Sequence, residues 1–288
     1  MRFLITLLCF VLPLAATAAI PPPPNVAAHA WLLVDHRTGQ TLVSHNADER
    51  IEPASLTKLM TAYITFQALK AGTIALDDAV QVSEKAWRMT GSRMFIEPNR
   101  PVTVEQLIHG MIIQSGNDAC VALAERIAGS EDAFVHMMNR EAERLGMTNT
   151  RFANSHGLPD PQLYTTANDL ALLASAMIRE FPEYYRLYSM REYTYNDITQ
   201  PNRNRLLWLD STVDGMKTGY TRAAGYCLVS SAMRGPRRLI SIVLGAESEG
   251  TRAQESLKLL NFGFQFFDTL RLYQANQEVS TFRVWKGK

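Results

Sequence analysis

Cysteine is scarce in this chain, with three in 288 residues. None sits in a Cys-x-x-Cys or Cys…His spacing, which excludes a zinc finger or ribbon. The six histidines (His29, His36, His45, His109, His136, His156) form no His-Glu-x-x-His word, so the helical zinc-hydrolase pattern is missing. Glycine-rich phosphate loops are absent. The net charge is only +1, with no Lys/Arg-rich run, so there is no nucleic-acid footprint and no acidic tail. Internal repeats, low-complexity segments and long linkers are also lacking. Beyond the first residues no apolar stretch of about 18 residues occurs, so the mature chain should have no spanning helix.

What remains is an ordinary globular composition, 47% hydrophobic and 20% charged. It is long enough for a sizeable core. The N-terminus reads as a secretory signal peptide over residues 1–18. Met1-Arg2 is a positive start, Phe3 to Leu14 a mostly apolar run, and Ala16-Thr17-Ala18 a small-x-small cleavage pattern. Cys9 follows Leu8, which is no lipoprotein setting. Residues 19–27 form a spacer stiffened by Pro21 to Pro24. The two later cysteines, Cys120 and Cys227, lie in apolar runs and read as buried free thiols.

Strands are expected at Ala30–Val34 and Gln40–Val43, joined by a turn at Asp35–Gly39. Pro53 opens a helix through Ser55 and Lys58 to about Leu69, ended by Gly72. Thr103-Val104-Glu105-Gln106 has capping-box form and starts a helix to Ile113. Gly116 interrupts it, and Asp118 restarts it as far as Ala128. Helices are expected at Glu131–Leu145 and Asn168–Arg179. Tyr226–Met233 and Leu239–Leu244 read as a hairpin turning at Arg234-Gly235-Pro236. A closing amphipathic helix runs from Thr251 to about Leu270. The first and last strands must share a sheet. The expected fold is α+β, an antiparallel sheet with helices on both faces and a helical subdomain.

Three short words carry the chemistry: Ser55-Leu56-Thr57-Lys58, Ser115-Gly116-Asn117 and Lys217-Thr218-Gly219. Alone, each is short enough to recur by chance. In this order, on a helix start, a helix break and a strand, coincidence is a poor explanation. Residues three apart on a helix share a face, so the Lys58 amine can take the proton of Ser55, a hydroxyl too weak to attack unaided. Lys58 must then be neutral, which burial and a second cation such as Lys217 favour. The N–H groups of Ser55 and Tyr220 suit an oxyanion. Ser115 can relay a proton to a leaving amine. Asn117 can donate to and accept from a peptide amide. Lys217 and Thr218 suit a carboxylate, and bare Gly219 lets a strand lie against substrate. His156, in Asn154–Leu158, reads as a structural residue of a loop near the site. Asp77-Asp78 and Glu131-Asp132 read as helix-terminus charges, and Met137-Met138 as core.

These words, with Pro53–Lys58, Ile113–Cys120, Gln200–Trp208, Val213–Gly219 and Leu259–Phe267, resemble the low-molecular-mass penicillin-binding proteins. These are the D-alanyl-D-alanine carboxypeptidases of serine peptidase family S11, penicillin-binding protein 5-like. The motif set is shared by penicillin-binding proteins and β-lactamases. The resemblance covers residue 28 to the C-terminus. It implies a five-stranded antiparallel sheet, a catalytic domain over 28–272, and 273–288 as the start of a truncated or missing C-terminal β-sandwich. It implies Ser55 as acyl-enzyme nucleophile, Lys58 as base, Ser115 and Asn117 completing the proton network, Lys217 binding a terminal carboxylate with Arg252 next to it, and Arg203 near the site. The implied substrate is the pentapeptide stem of peptidoglycan, with β-lactams acylating Ser55 and no metal or organic cofactor. The implied location is the periplasm, either free or peripheral at the inner membrane.

Three departures stand out. Tyr220 replaces a histidine frequent after Lys-Thr-Gly. The Trp87–Ser92 loop is shorter than in penicillin-binding protein 5. The sandwich and anchor of that protein have no counterpart before Lys288. A D,D-endopeptidase cutting cross-links and a penicillin-recognising module without turnover are the alternatives. A class A β-lactamase lacks support, because no deacylating glutamate is visible.

Overall fold

The computed structural model describes residues 21–274, 276–282 and 285. The signal-peptide reading of residues 1–18 lies outside them. The first strand, β1 (Ala30–Asp35), is buried along its whole length and pairs on one side with β2 (Thr41–His45). After a 3-10 turn at Ala54–Thr57 comes α1 (Lys58–Lys70). Ten of its thirteen residues are buried, including Leu59, Met60, Tyr63, Ile64 and Phe66. A helix apolar on nearly every side belongs at the centre of a domain, and α1 lies there, touching α4, α5 and α6.

A helical subdomain follows. A two-residue ladder of β3 (Ala79–Val80) and β4 (Val102–Thr103) brackets α2 (Glu84–Trp87). Thr103 and Gln106 form the expected capping box at the start of α3 (Val104–His109). The helix then widens into a π-helical turn, Gly110–Gln114, before α4 (Asn117–Ala128) and α5 (Glu131–Leu145). The chain returns through α6 (Ala167–Glu180) and α7 (Pro182–Tyr185). A small hairpin of β5 (Glu192–Tyr195) and β6 (Ile198–Pro201) leads to α8 (Leu206–Leu209). Three long strands close the sheet: β7 (Val213–Thr221), β8 (Gly225–Arg234) and β9 (Arg237–Ala246). The last helix is α9 (Glu249–Phe266).

The sheet has the order β2-β1-β9-β8-β7, and every neighbouring pair is antiparallel. The first strand therefore pairs with the last, as one domain requires. One sheet face packs against α6 and the α1 core. The other buries Leu33, Val243 and Leu239 beneath Leu259 and Leu260 of α9. The α+β fold with helices on both faces is as expected.

Four boundaries differ from expectation. Ser55 lies in the 3-10 turn and not in the α-helix, because Ala54 has φ +48 and cannot start one. The closing helix stops at Phe266, since Phe267 is already extended (φ −123, ψ 150). Asp77 and Asp78 sit in a turn, where Asp78 accepts from Ala75 N–H and pairs with Arg126 at 2.7 Å. The strand after the first turn starts at Thr41. Cys120 and Cys227 are free and buried, and Met138 is core. Among the described residues no helix is long and apolar enough to cross a membrane.

Candidate active site

Ser55 and Lys58 are brought together by the tight turn after Pro53. A 3-10 turn has three residues per turn, so positions i and i+3 eclipse. Lys58 Nζ lies 3.0 Å from Ser55 Oγ. Gly219 and Gly157 allow the turn to be hemmed in on two sides. A Cβ on Gly219 would lie 3.1–3.3 Å from Pro53 O, Ala54 Cβ and Leu56 Cγ. A Cβ on Gly157, whose φ is +88, would lie 1.8 Å from Ala54 O. The bareness of Gly219 thus serves first to seat β7 on the serine turn.

Lys58 is 1% exposed and has three partners. Besides Ser55 these are Asn117 Oδ1 at 2.7 Å and the carbonyl of His156 at 2.5 Å. The two oxygens can only accept. The Asn117 amide is fixed in that orientation because its Nδ2 donates to Thr90 O at 2.7 Å. A neutral lysine has two N–H bonds and one lone pair. With both N–H bonds committed to Asn117 and His156, the lone pair is left facing Ser55 Oγ. Burial holds the Lys58 pKa down, to about 8, and the Arg203 guanidinium adds to the effect.

Ser115 and Asn117 flank the break between the π-helical turn and α4. Ser115 adopts a left-handed conformation (φ 64, ψ 34), which turns its side chain out of the helical path. Its Oγ accepts from Lys217 Nζ at 2.9 Å. Lys217 also donates to Thr218 O at 3.1 Å and is 3% exposed. Burial and then Lys58 hold its pKa well below the ordinary range. Lys58 and Lys217 repel each other, and Arg203 adds to the effect on both.

Around these groups opens a cleft of about 490 Å³. Ser55, Ser115, Asn117, Thr218, Gly219, Tyr220, Arg203 and Arg252 all line it, so the cleft gathers the candidate residues. The two ammonium groups sit behind it as its dry floor. Arg252 is buried, with Nη2 on Glu249 at 2.9 Å and Nη1 on Gly219 O at 3.3 Å. Arg203 is exposed and contributes its carbonyl to Arg252 at 3.4 Å. Tyr220 is 54% exposed and stacks on its cross-strand partner Tyr226, centroids 4.3 Å apart. Arg252 lies over the other aromatic, 5.5 Å from the Tyr226 centroid.

A sequence profile described as D-alanyl-D-alanine carboxypeptidase, of the S11 peptidases, matches residues 16–248. The chain belongs to this family. It is 50% identical over 271 residues to the D-alanyl-D-alanine carboxypeptidase DacC of Escherichia coli, covering 92% of this chain and 68% of that one. Its fold matches penicillin-binding protein 5 from Haemophilus influenzae with a TM-score of 0.88 and 45% identity, over 90% of this chain and 76% of the other. It also matches the ampicillin-bound form of penicillin-binding protein D2 from Listeria monocytogenes, with a TM-score of 0.78 and 32% identity, over 85% and 100% of the two chains. It is thus a serine-peptidase hydrolase of the penicillin-binding fold.

Two buried carboxylates, Asp118 and Glu131, are not legible as such in the sequence. Asp118, 1% exposed, accepts from the backbone of Met94 (3.0 Å), Phe95 (2.8 Å) and Ile96 (3.3 Å), just beyond the cleft residues Gly91 and Ser92. Glu131 accepts from Ser155 N–H and O–H at 2.9 and 2.6 Å. Apart from the neighbouring Ala119 N–H on Asp118, the groups they bond lie more than twenty residues away. His156 was readable only as a loop residue. It is among the residues lining the cleft, and its carbonyl holds Lys58.

Proposed function

We propose that this cleft removes the terminal D-alanine from peptidoglycan pentapeptide stems through a Ser55 acyl-enzyme. The observation that carries the reading is the lysine with both N–H bonds committed and its lone pair toward Ser55. Ser55 Oγ attacks the carbonyl carbon of the penultimate D-alanine as Lys58 takes the hydroxyl proton. The oxyanion is met by the Ser55 and Tyr220 N–H groups. The C–N bond breaks as Ser115 gives its hydroxyl proton to the leaving amine and takes back the proton that Lys58 removed from Ser55, so D-alanine departs and Lys58 is neutral again. Water, giving its proton to Lys58, then attacks the ester carbonyl; the bond to Ser55 Oγ breaks, and Lys58 returns the proton to Ser55. Lys217 and Thr218 hold the terminal carboxylate, with Arg203 and Arg252 supplying positive potential at the mouth.

Penicillin mimics the scissile amide and would acylate the same oxygen. The periplasm is the compartment in which the stem is accessible, and the N-terminal segment of the sequence supports that location. Residues 28–272 serve as the catalytic unit. The test is Ser55→Ala. It should abolish both D-alanine release and covalent labelling by a fluorescent penicillin, and labelling that persists would sink the reading. Offering a pentapeptide and a cross-linked dimer side by side separates exopeptidase from endopeptidase. Release of D-alanine with the dimer left intact is the expected result.

A further inference from the structure

Glu131 is the first residue of α5, yet its carboxylate does not face solvent as a helix-terminus charge would. It is 6% exposed and has partners on two separate segments, the Ser155-His156 loop and α2. Oε1 accepts from Ser155 N–H and O–H at 2.9 and 2.6 Å and lies 3.5 Å from His156 Nε2. Oε2 pairs with Lys85 of α2 at 2.9 Å. The segment it grips ends in the active site. Ser155 O accepts from Thr61 of α1 at 2.6 Å, and the next carbonyl, His156 O, accepts from Lys58 Nζ. His156 Nδ1 accepts from Leu158 N–H at 3.1 Å, which leaves Nε2 as the ring's N–H, facing Glu131. The partner on α2 matters equally. The chain leaving α2 supplies Thr90 O and Ser92 O, which hold the Asn117 side chain and backbone. Both oxygens that orient Lys58 are thus reached from one buried carboxylate, His156 O by way of Ser155 and Asn117 Oδ1 by way of Lys85 and α2.

We propose that Glu131 is a positioning residue for Lys58: it clamps Ser155, and through Lys85 ties α2 to the same point, so that both acceptors stay on the lysine. The inference rests on Lys58 being the base of the acyl-enzyme reading. A buried carboxylate costs free energy unless paired and hydrogen-bonded. Here burial raises the Glu131 pKa, but Ser155 and Lys85 outweigh it and hold the carboxyl below its usual range. Catalytic geometry is intolerant of small displacements, since a shift of about 1 Å can cost about a hundredfold.

The experiment separates the acylation step from noncovalent binding, by stopped-flow labelling with a fluorescent penicillin. Glu131→Ala should lower the acylation rate constant by at least about tenfold, with the noncovalent dissociation constant held within about threefold. Glu131→Gln keeps an oxygen for Ser155 and should recover most of the rate. A folded Glu131→Ala protein that acylates at the wild-type rate overturns the proposal, whatever its melting temperature. So does a Glu131→Gln protein as slow as the alanine variant, or a loss that falls equally on binding. If Glu131→Ala does not fold, Ser155→Ala, which removes one of the clamp's bonds, decides. A loss of about threefold in the same rate constant supports the clamp, and a wild-type rate overturns it. Failure of the acyl-enzyme reading would show differently, as labelling that survives Ser55→Ala.

Discussion

Two buried lysines share this cleft, and their surroundings assign them different work. Lys58 sits at the head of the central helix among obligate acceptors, with no acidic side chain bonded to it. Its fixed oxygens are satisfied by two N–H bonds, so losing the third proton costs little. Lys217 sits on an edge strand and bonds to the hydroxyl of Ser115, which can reverse its direction, and to Thr218 O. Burial, then the charge of Lys58, then those of Arg203 and Arg252 disfavour its charged form, which leaves the site in want of an anion. The lesson is that burial alone does not make a lysine a base. The acceptors around it decide whether the neutral form is oriented or merely tolerated.

The largest effect should come from breaking the first half of this comparison. Lys58→Ala removes the proton acceptor and should lower acylation by at least about a thousandfold for peptide and penicillin alike. The pH dependence follows from the same group. Lys58 is protonated and idle below its pKa of about 8 and neutral above it. Acylation kcat/KM should therefore rise with pH and level off above about 8, falling about tenfold per unit on the acid side. A rate that is flat between pH 6 and 9 would break the assignment. Lys217 should behave otherwise. Lys217→Gln should cost about 2 kcal/mol, or about thirtyfold in kcat/KM, on a stem with a free terminal carboxylate. On the same stem with an amidated terminus the variant and the wild type should be nearly equal. An equal loss on both stems would show that Lys217 serves the reaction and not the carboxylate.

The parts legible in the sequence are those written locally. The capping box at Thr103 and Gln106, the hairpin at Gly235-Pro236 and the three words themselves depend on neighbours within a few residues. The pairing of the first strand with the last followed from the need to close one domain. Ladders of two residues, such as Ala79–Val80 with Val102–Thr103, have no periodicity to read. The same holds for four-residue helices such as Leu206–Leu209. The π-helical turn before Ser115 is hidden because Gly116 supplies a simpler break. Glu131 and Asp118 are hidden for a deeper reason. Each grips backbone N–H groups, and every residue but proline has one, so no side-chain pattern announces the partner.

The smallest effect should be at Tyr220, the residue that departs most visibly from the family's pattern. Its proposed part in the reaction is the backbone N–H, which any side chain leaves in place. What the ring adds is a stack on Tyr226, which in turn lies beneath Arg252. An exposed aromatic pair of this kind contributes about 0.5–1.5 kcal/mol beyond its buried area. Tyr220→Ala should therefore lower the melting temperature slightly and leave penicillin acylation within about threefold of wild type. The peptide should be affected more than penicillin, because the stack sits at the Arg252 end of the cleft, where the proposed carboxylate contacts are made. Measured on both substrates, a loss that is larger for penicillin would move Tyr220 from the Lys217 half of the site to the Lys58 half. The division between the two lysines would then run elsewhere in the cleft than the hydrogen bonds place it.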